Sequence, residues 1–147
     1  MGAMGMESLH PLVVHFPIAL LFSALGLDGL ALALKRPHLH RVALWNLCLG
    51  TLGAAAAVLT GLQAEKIAKH SFEIWEVMER HERLGISTLI LGLMASGLRL
   101  GTRDRLSPRL RTLSLAIMAG MASTIAVGAY LGGRLVYEFG VGGRFGR

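Results

Sequence analysis

Apolar residues run along the chain in four long stretches that are separated by short polar segments. A helix rises 1.5 Å per residue, so about 20 residues cross a hydrocarbon core of ~30 Å, and each stretch can supply one crossing. Phe72, Trp75 and Met78 recur at helical steps ahead of the third stretch and extend that helix. Ser107 followed by Pro108 is a typical start for the fourth. The pattern predicts one domain over residues 1–147, with helices at about 11–34, 42–62, 72–100 and 108–135.

The composition is too apolar for a soluble domain of this size. Hydrophobic residues make up 53% of the 147 residues, charged residues make up 16%, and the mean hydropathy is +0.55. The first apolar stretch is too long for a secretory signal and has no basic segment ahead of it, so we expect it to remain as a helix. The predicted fold is an all-α integral membrane four-helix bundle in contact with the lipid bilayer.

Lysine and arginine are distributed unevenly between the two ends of the predicted bundle. The first and third loops hold eight of them, none precedes the first helix, and the second loop balances its bases with glutamates. Cytoplasmic loops carry the excess of positive charge, so both termini are predicted to lie outside, in a multi-pass protein of a bacterial-type inner membrane. The net charge of +6 then reflects topology and lipid headgroup contact. No aromatic and basic pattern indicates nucleic-acid binding.

Small residues recur every four positions on two of the helices. Such stripes let membrane helices pack closely, because association in lipid depends on van der Waals fit. The contact is either within one bundle or between two copies in a homodimer. The stripes comprise Gly53, Ala57 and Gly61 in the second helix and Ala116, Gly120, Thr124, Gly128 and Gly132 in the fourth.

Histidines on the first and third helices are predicted to lie at the same depth in the membrane. His15 is 20 residues from Lys35 at the cytoplasmic end of helix 1, or about 30 Å. His81 is 18 residues from Arg99 at the end of helix 3, or about 27 Å. A polar cluster at the outer membrane boundary follows from this spacing. Its other members are His10, Gly61, Tyr130, Arg134 and Tyr137.

Three interpretations of this cluster remain open, and ionisable residues at membrane depth are functional candidates by default. Neutral imidazoles of His15 and His81 suit axial ligation of haem b. Arg134 would then bind the propionates, and Gly61 would leave room for the macrocycle. A mononuclear Zn or Cu site would instead use His10, His15 and His81. In the third interpretation the histidines are structural: His15 bonds a carbonyl freed near the proline kink, and His81 caps helix 3.

Other polar residues receive simpler interpretations. Asp28 and Asn46 lie near the cytoplasmic ends of helices 1 and 2, and a hydrogen bond between them would hold these helices together. His38 and His40 share a basic segment, so we expect them to face solvent or lipid headgroups. His70 follows a lysine and is expected to be exposed.

Three segments resemble the signature motifs of the domain of unknown function 2231 family of four-helix membrane proteins. They are LHPLVVHFPIALL at residues 9–21, RHERLG around His81, and GGRLVYEFGVG at residues 132–142. The resemblance covers nearly the whole chain and implies the same architecture and a histidine set on His10, His15 and His81. Some members are joined to redox modules, which implies electron transfer. The last motif commonly has a histidine where this chain has Phe139, so a ligand at that position is not expected here.

The resulting hypothesis is a b-type cytochrome-like electron-transfer protein that binds haem between helices 1 and 3 near the outer face. Its electron partners would be quinone or a peripheral, periplasmic redox protein, and any enzymatic activity would be a linked oxidoreduction. The alternative is a metal-binding, ion-binding or structural subunit that anchors a redox partner without haem.

Overall fold

The computed structural model of the protein describes residues 9–66 and 71–141, which form four long helices. Each helix is long and apolar enough to cross a membrane. The described ranges contain no strand. The predicted all-α fold with four spanning helices is therefore confirmed. The helices are α1 (Leu9–Ala33), α2 (Pro37–Glu65), α3 (Phe72–Gly101) and α4 (Pro108–Tyr137).

Serine and proline residues define three of the helix starts. The side-chain oxygens of Ser71 and Ser107 each accept a hydrogen bond of 3.4 Å from the backbone N–H three residues later, which caps α3 and α4. Pro37 opens α2, where its missing N–H is no loss because the first turn offers no intrahelical partner. α2 therefore begins at residue 37 and not at residue 42. The start of the helix is polar, and the apolar run from which the helix was predicted therefore did not include it.

The helices form a ring in which each one packs against two neighbours. α1 packs most extensively on α2, and α3 on α4, so the chain folds as two hairpins. The hairpins meet where α2 contacts α3 and α1 contacts α4. Within the described residues, α1 and α3 share no close backbone contact and lie diagonally opposite. These two parallel helices face each other across the centre of the bundle.

Glycines allow the helices of each hairpin to approach closely. A Cβ on Gly53 would lie 3.2 Å from Pro17 of α1, which is tighter than ordinary packing. A Cβ on Gly128 would contact Leu84 of α3 at 3.6 Å. These parts of the predicted stripes therefore pack within one chain. Gly120, in contrast, has no described residue within 4 Å of an added Cβ, so that part of the α4 stripe lies on the outer surface.

The second hairpin repeats the first at a constant offset of 71 residues, which is the separation of Asp28 from Arg99. Pro37 and Pro108 are equivalent under this offset, and each one opens the second helix of its hairpin. Because equivalent helices run parallel, the hairpins are related by an approximate two-fold axis along the bundle. Core positions that the offset relates are fully buried in both hairpins: Ala24 with Ala95, Ala43 with Ser114, and Leu47 with Met118.

Candidate functional site

Polar side chains gather at the two ends of the bundle. We call one the histidine end, because it holds His10 and His81 near the start of α1 and α3. We call the other the charged end, because buried acidic and basic residues meet there. Its members are Asp28, His40, Arg99, Asp104 and Arg111.

His10 of α1 is half-buried against α2. Gly61 of α2 leaves the space that the imidazole occupies, since an added Cβ would come within 3.1 Å of His10 Cε1. The ring is held by its Nδ1 atom, which lies 3.3 Å from Thr60 Oγ1. The glycine predicted to make room for a macrocycle therefore makes room for a histidine ring.

The partner of His10 identifies which ring nitrogen carries the proton. A threonine hydroxyl has one proton, and Thr60 directs it to the carbonyl oxygens of Ala56 and Ala57, both at 3.0 Å. Thr60 Oγ1 must then accept from His10, so Nδ1 is the donor. A neutral imidazole that is protonated at Nδ1 keeps a lone pair on Nε2, which is the atom able to bind a metal.

His81 is held in the same manner in the second hairpin. Its Nδ1 lies 2.8 Å from the carbonyl oxygen of Gly128 in α4, and a carbonyl can only accept, so Nδ1 again donates. Gly132 leaves the space for the ring, since an added Cβ would lie 3.0 Å from His81 Cε1. Nε2 of His81 therefore also keeps its lone pair. Gly132 is the repeat equivalent of Gly61, so both hairpins seat a histidine over a glycine.

The two imidazoles meet across the approximate two-fold axis. Their centroids are 6.1 Å apart and the rings are inclined at 84°. Each Nδ1–H is anchored on an oxygen of its own hairpin, an arrangement that fixes tautomer and orientation in metal-binding histidines. The pair thus offers two Nε2 lone pairs from diagonally opposite helices.

His15 does not join this pair. It lies exposed on α1, and its Nδ1 donates a 2.6 Å hydrogen bond to the carbonyl of Pro11, four residues earlier in the same helix. The depth argument combined His15 with His81, whereas the structure places His10 beside His81. Successive residues turn by about 100°, so positions five apart point roughly 140° away from each other. Only one of His10 and His15 can therefore face the bundle.

The aromatic and basic residues predicted on α4 lie together but away from the histidines. Tyr130, Arg134 and Tyr137 line a shallow surface groove, and both tyrosines are largely exposed. Arg134 donates to Glu138 one turn later at 2.8 Å. Gly132 points to His81 from another face of the helix. The structure therefore does not bring Arg134 to the histidine pair.

No group of three or more His, Cys, Asp or Glu residues comes close enough to hold a metal ion in residues 9–66 and 71–141. His10, His15 and His81 were the predicted set for Zn or Cu, and His15 is turned away from the other two. The geometry thus provides a two-histidine site within the described part of the chain.

The charged end was not predicted as a cluster. Arg99 is fully buried, and it donates to Asp28 Oδ2 at 2.8 Å, to Asp104 Oδ1 at 2.9 Å and to the carbonyl of His40 at 2.7 Å. A buried guanidinium is stable only when its donors are satisfied, and these three acceptors lie on α1, α2 and the α3–α4 loop. Arg99 therefore ties three segments of the chain together.

The predicted hydrogen bond between Asp28 and Asn46 is wrong. Asp28 is buried, its Oδ2 accepts from Arg99, and its Oδ1 lies 2.7 Å from His40 Nδ1. His40 is also not solvated as expected, since its side chain is only 14% exposed. His38 is exposed, as predicted. His70 lies outside the described residues.

The repeat is the signal that could have revealed both ends from the sequence. The offset of 71 residues relates His10 to His81, Asp28 to Arg99 and His40 to Arg111. Each residue meets its own equivalent: the imidazoles lie edge to face, Asp28 is ion-paired with Arg99, and Arg111 lies 2.8 Å from His40 Nδ1. Equivalent residues near a two-fold axis must approach each other, which explains all three contacts.

Phe139 lies in the C-terminal motif, at the position where the resemblance implied a histidine in related proteins. In this chain its ring packs against an apolar cluster at the histidine end, with Arg134 6.0 Å from the ring centroid. A phenyl group has no ligand atom, so the position contributes packing. The buried members of that cluster are Val77, Met78 and Leu135.

The family model of a predicted membrane protein, DUF2231, matches residues 6–144. The chain belongs to the DUF2231 family. The four spanning helices agree with that description, and the resemblance stated from the three motifs is confirmed. Comparisons with curated proteins and with solved structures gave no match.

Proposed function

We propose that this DUF2231 protein is a membrane electron-transfer protein in which His10 and His81 bind haem b between α1 and α3. The observation that carries the proposal is the pair of imidazoles, whose ring centroids are 6.1 Å apart and whose Nδ1 atoms both donate hydrogen bonds to protein oxygens. His10 and His81 would hold the haem iron through the Nε2 atoms that these hydrogen bonds leave available.

The number of ligands favours haem over a mononuclear ion. Structural zinc takes four protein ligands and catalytic zinc usually takes three, whereas haem would need no more than two ligands from the protein. Bound haem b supplies a one-electron couple. His10 and His81 would hold it, and the oxygens that accept from their Nδ1 atoms keep both rings oriented.

The surroundings of the pair also suit a flat ligand. Gly61 of α2 and Gly132 of α4 lie against the two rings, so no side chain from these two positions competes with the imidazoles. α1 and α4 form the least extensive of the helix contacts, and a planar group can enter on that side with the smallest loss of packing. Quinone or a peripheral redox protein would exchange electrons with this site. A second copy of the chain would pack on the exposed part of the α4 stripe around Gly120.

The visible spectrum of the purified protein tests the proposal. After expression with ample haem, the wild-type protein should show a Soret band of a bis-histidine haem. His10→Ala and His81→Ala should each lose haem or leave it five-coordinate, while His15→Ala should retain the wild-type spectrum because that ring faces away. His38→Ala is a second control.

A colourless wild-type protein would overturn the haem assignment. Metal analysis for Zn and Cu on the same variants would then test the alternative of an ion-binding subunit. If wild-type protein binds haem and only His15→Ala abolishes it, the cofactor is right and the ligand pair is wrong.

We also propose that the histidine end faces the outside of a bacterial-type inner membrane, because the eight Lys and Arg residues within positions 35–41 and 99–111 lie at the opposite end of the bundle. A topology reporter fused after Arg103 should be active in the cytoplasm, and one fused at the C terminus should be active outside. The reverse pattern would place the histidine pair at the cytoplasmic face.

A further inference from the structure

His40 Nδ1 at the charged end faces two partners that make opposite demands on it. Asp28 Oδ1 lies 2.7 Å away, and a guanidinium nitrogen of Arg111 lies 2.8 Å away. A guanidinium can only donate hydrogen bonds, and an ionised carboxylate can only accept them. A single nitrogen cannot donate to one partner and accept from the other at the same time.

The proton on Nδ1 decides which contact is favourable. With a proton, Nδ1 donates to Asp28, and the Arg111 N–H then faces another N–H. Without it, Nδ1 accepts from Arg111, and the lone pair then faces the carboxylate. At these distances each mismatch is repulsive, so one of the two partners must withdraw in each state.

The charges around His40 come from every neighbouring element. Asp28 reaches it from α1, Arg111 from α4, and Arg99 of α3 donates to its backbone carbonyl. Asp104 of the α3–α4 loop is bonded to Arg99. The charges of these two acids and two bases cancel. The cluster is therefore neutral with a neutral His40 and carries one positive charge with a protonated His40.

Two further features make His40 the group that changes. Arginine stays protonated in proteins, and Asp28 accepts a hydrogen bond from Arg99. Imidazole is the side chain that can exchange a proton near neutral pH, and the His40 side chain keeps 14% exposure at the charged end. On its own helix, His38 and Arg41 are exposed and do not cover it.

We propose that His40 is a proton-binding site that switches the charged end between two contacts. The protonated ring binds α2 to α1 through Asp28, and the ring with bare Nδ1 binds α2 to α4 through Arg111. The proton comes from water and returns to water, and no other bond forms or breaks. The site is separate from the histidine end and does not depend on a cofactor there.

Nitrogen NMR of the wild-type protein provides the first test. With ¹⁵N-histidine labelling in lipid nanodiscs, His40 should pass between about pH 5 and pH 8 from a protonated Nδ1 to a bare Nδ1. His40→Asn identifies its resonances, and His38→Asn, two residues away, is the matched control. If Nδ1 of His40 keeps one protonation state throughout this range, the proposal is wrong.

Hydrogen exchange tests the change of partner. After correction for intrinsic rates, amides of residues 102–112 should exchange about tenfold faster or more on the acid side, where Arg111 is released. His40→Asn should abolish this pH step, and His38→Asn should retain it. If His40→Asn does not fold, Arg111→Leu serves instead, since it removes the competing donor and should abolish the same step. A step that survives in a folded His40→Asn or Arg111→Leu protein would overturn the switch.

Discussion

The histidine end and the charged end occupy equivalent positions of the same repeat, but they differ in how the two hairpins complement each other. At the histidine end the hairpins contribute identical imidazole rings. At the charged end they contribute opposite charges, with Asp28 against Arg99 at 2.8 Å. Two identical charges could not meet at the axis of a buried bundle, because repulsion and desolvation would oppose them. Two identical imidazoles can, and each retains a lone pair.

The two ends therefore differ in whether the protein itself satisfies their polar groups. Arg99 is fully buried and has three acceptors, so the charged end is satisfied by the chain itself apart from the proton on His40. The imidazoles at the histidine end use only their Nδ1 atoms on protein oxygens. We therefore expect substitutions at the charged end to act first on stability, and those at the histidine end to act first on binding.

The largest expected effect is at Arg99. Arg99→Leu leaves the buried carboxylate of Asp28 without its guanidinium, and removing one partner of a buried pair costs about 3–5 kcal/mol. The free energy of unfolding should fall by this amount in a denaturant titration in mixed micelles. Arg109→Leu, an exposed arginine at the start of α4, is the control and should change little.

A reciprocal exchange sharpens the same comparison. Because Asp28 and Arg99 are repeat equivalents, the double variant Asp28→Arg with Arg99→Asp should recover part of the stability that either single variant loses. An additive loss in the double variant would show that the two positions are not interchangeable across the axis.

A smaller effect is expected where the histidine rings rest on glycine. Gly132→Ala places a methyl group 3.0 Å from His81 Cε1, and overpacking of this kind costs about 1–3 kcal/mol. Gly133→Ala is the matched control, because no atom of residues 9–66 or 71–141 lies within 4 Å of its added Cβ and both substitutions gain the same helix propensity. The difference in unfolding free energy between the two variants measures the contact. Equal stabilities would mean that the ring moves aside without loss.

The smallest expected effect concerns the hydroxyl that anchors His10. Thr60→Val keeps the shape of the side chain and removes the acceptor for Nδ1, so we expect a loss of about 0.5–1.5 kcal/mol. Thr112→Val is the control, since that hydroxyl bonds only the carbonyl of Pro108 in its own helix. If both variants unfold alike, Thr60 does not orient the ring, and the assignment of the proton to Nδ1 of His10 loses its support.

The depth argument shows why part of the histidine end was predictable. Counting residues from the basic helix ends correctly placed histidines of α1 and α3 at one end of the bundle. It selected His15, however, because the count on helix 1 began at Lys35, whereas Asp28 is the residue that pairs with Arg99. Counted from Asp28, His10 lies 18 residues away, as His81 does from Arg99. His10 faces α2 because Gly61 admits its ring, and that requires the packing of α1 on α2.

The charged end escaped prediction for a related reason. Arg99 and His40 were assigned to polar segments, where a charge normally faces water or lipid headgroups. The tertiary structure buries Arg99 completely because acceptors from three distant segments converge on it. Only the repeat offset of 71 residues carried this information in the sequence, by aligning Asp28 with Arg99.

The sequence by itself determined the four spanning helices, the capping of α4 by Ser107 and the family, because apolar length, capping chemistry and motifs are local properties. The tertiary structure decided that His10 and not His15 meets His81, and that Asp28 binds Arg99 and not Asn46. These choices depend on the height of each helix against its neighbours and on its rotation about its own axis. Small residues at the helix contacts set that rotation, and it becomes defined only when all four helices pack together.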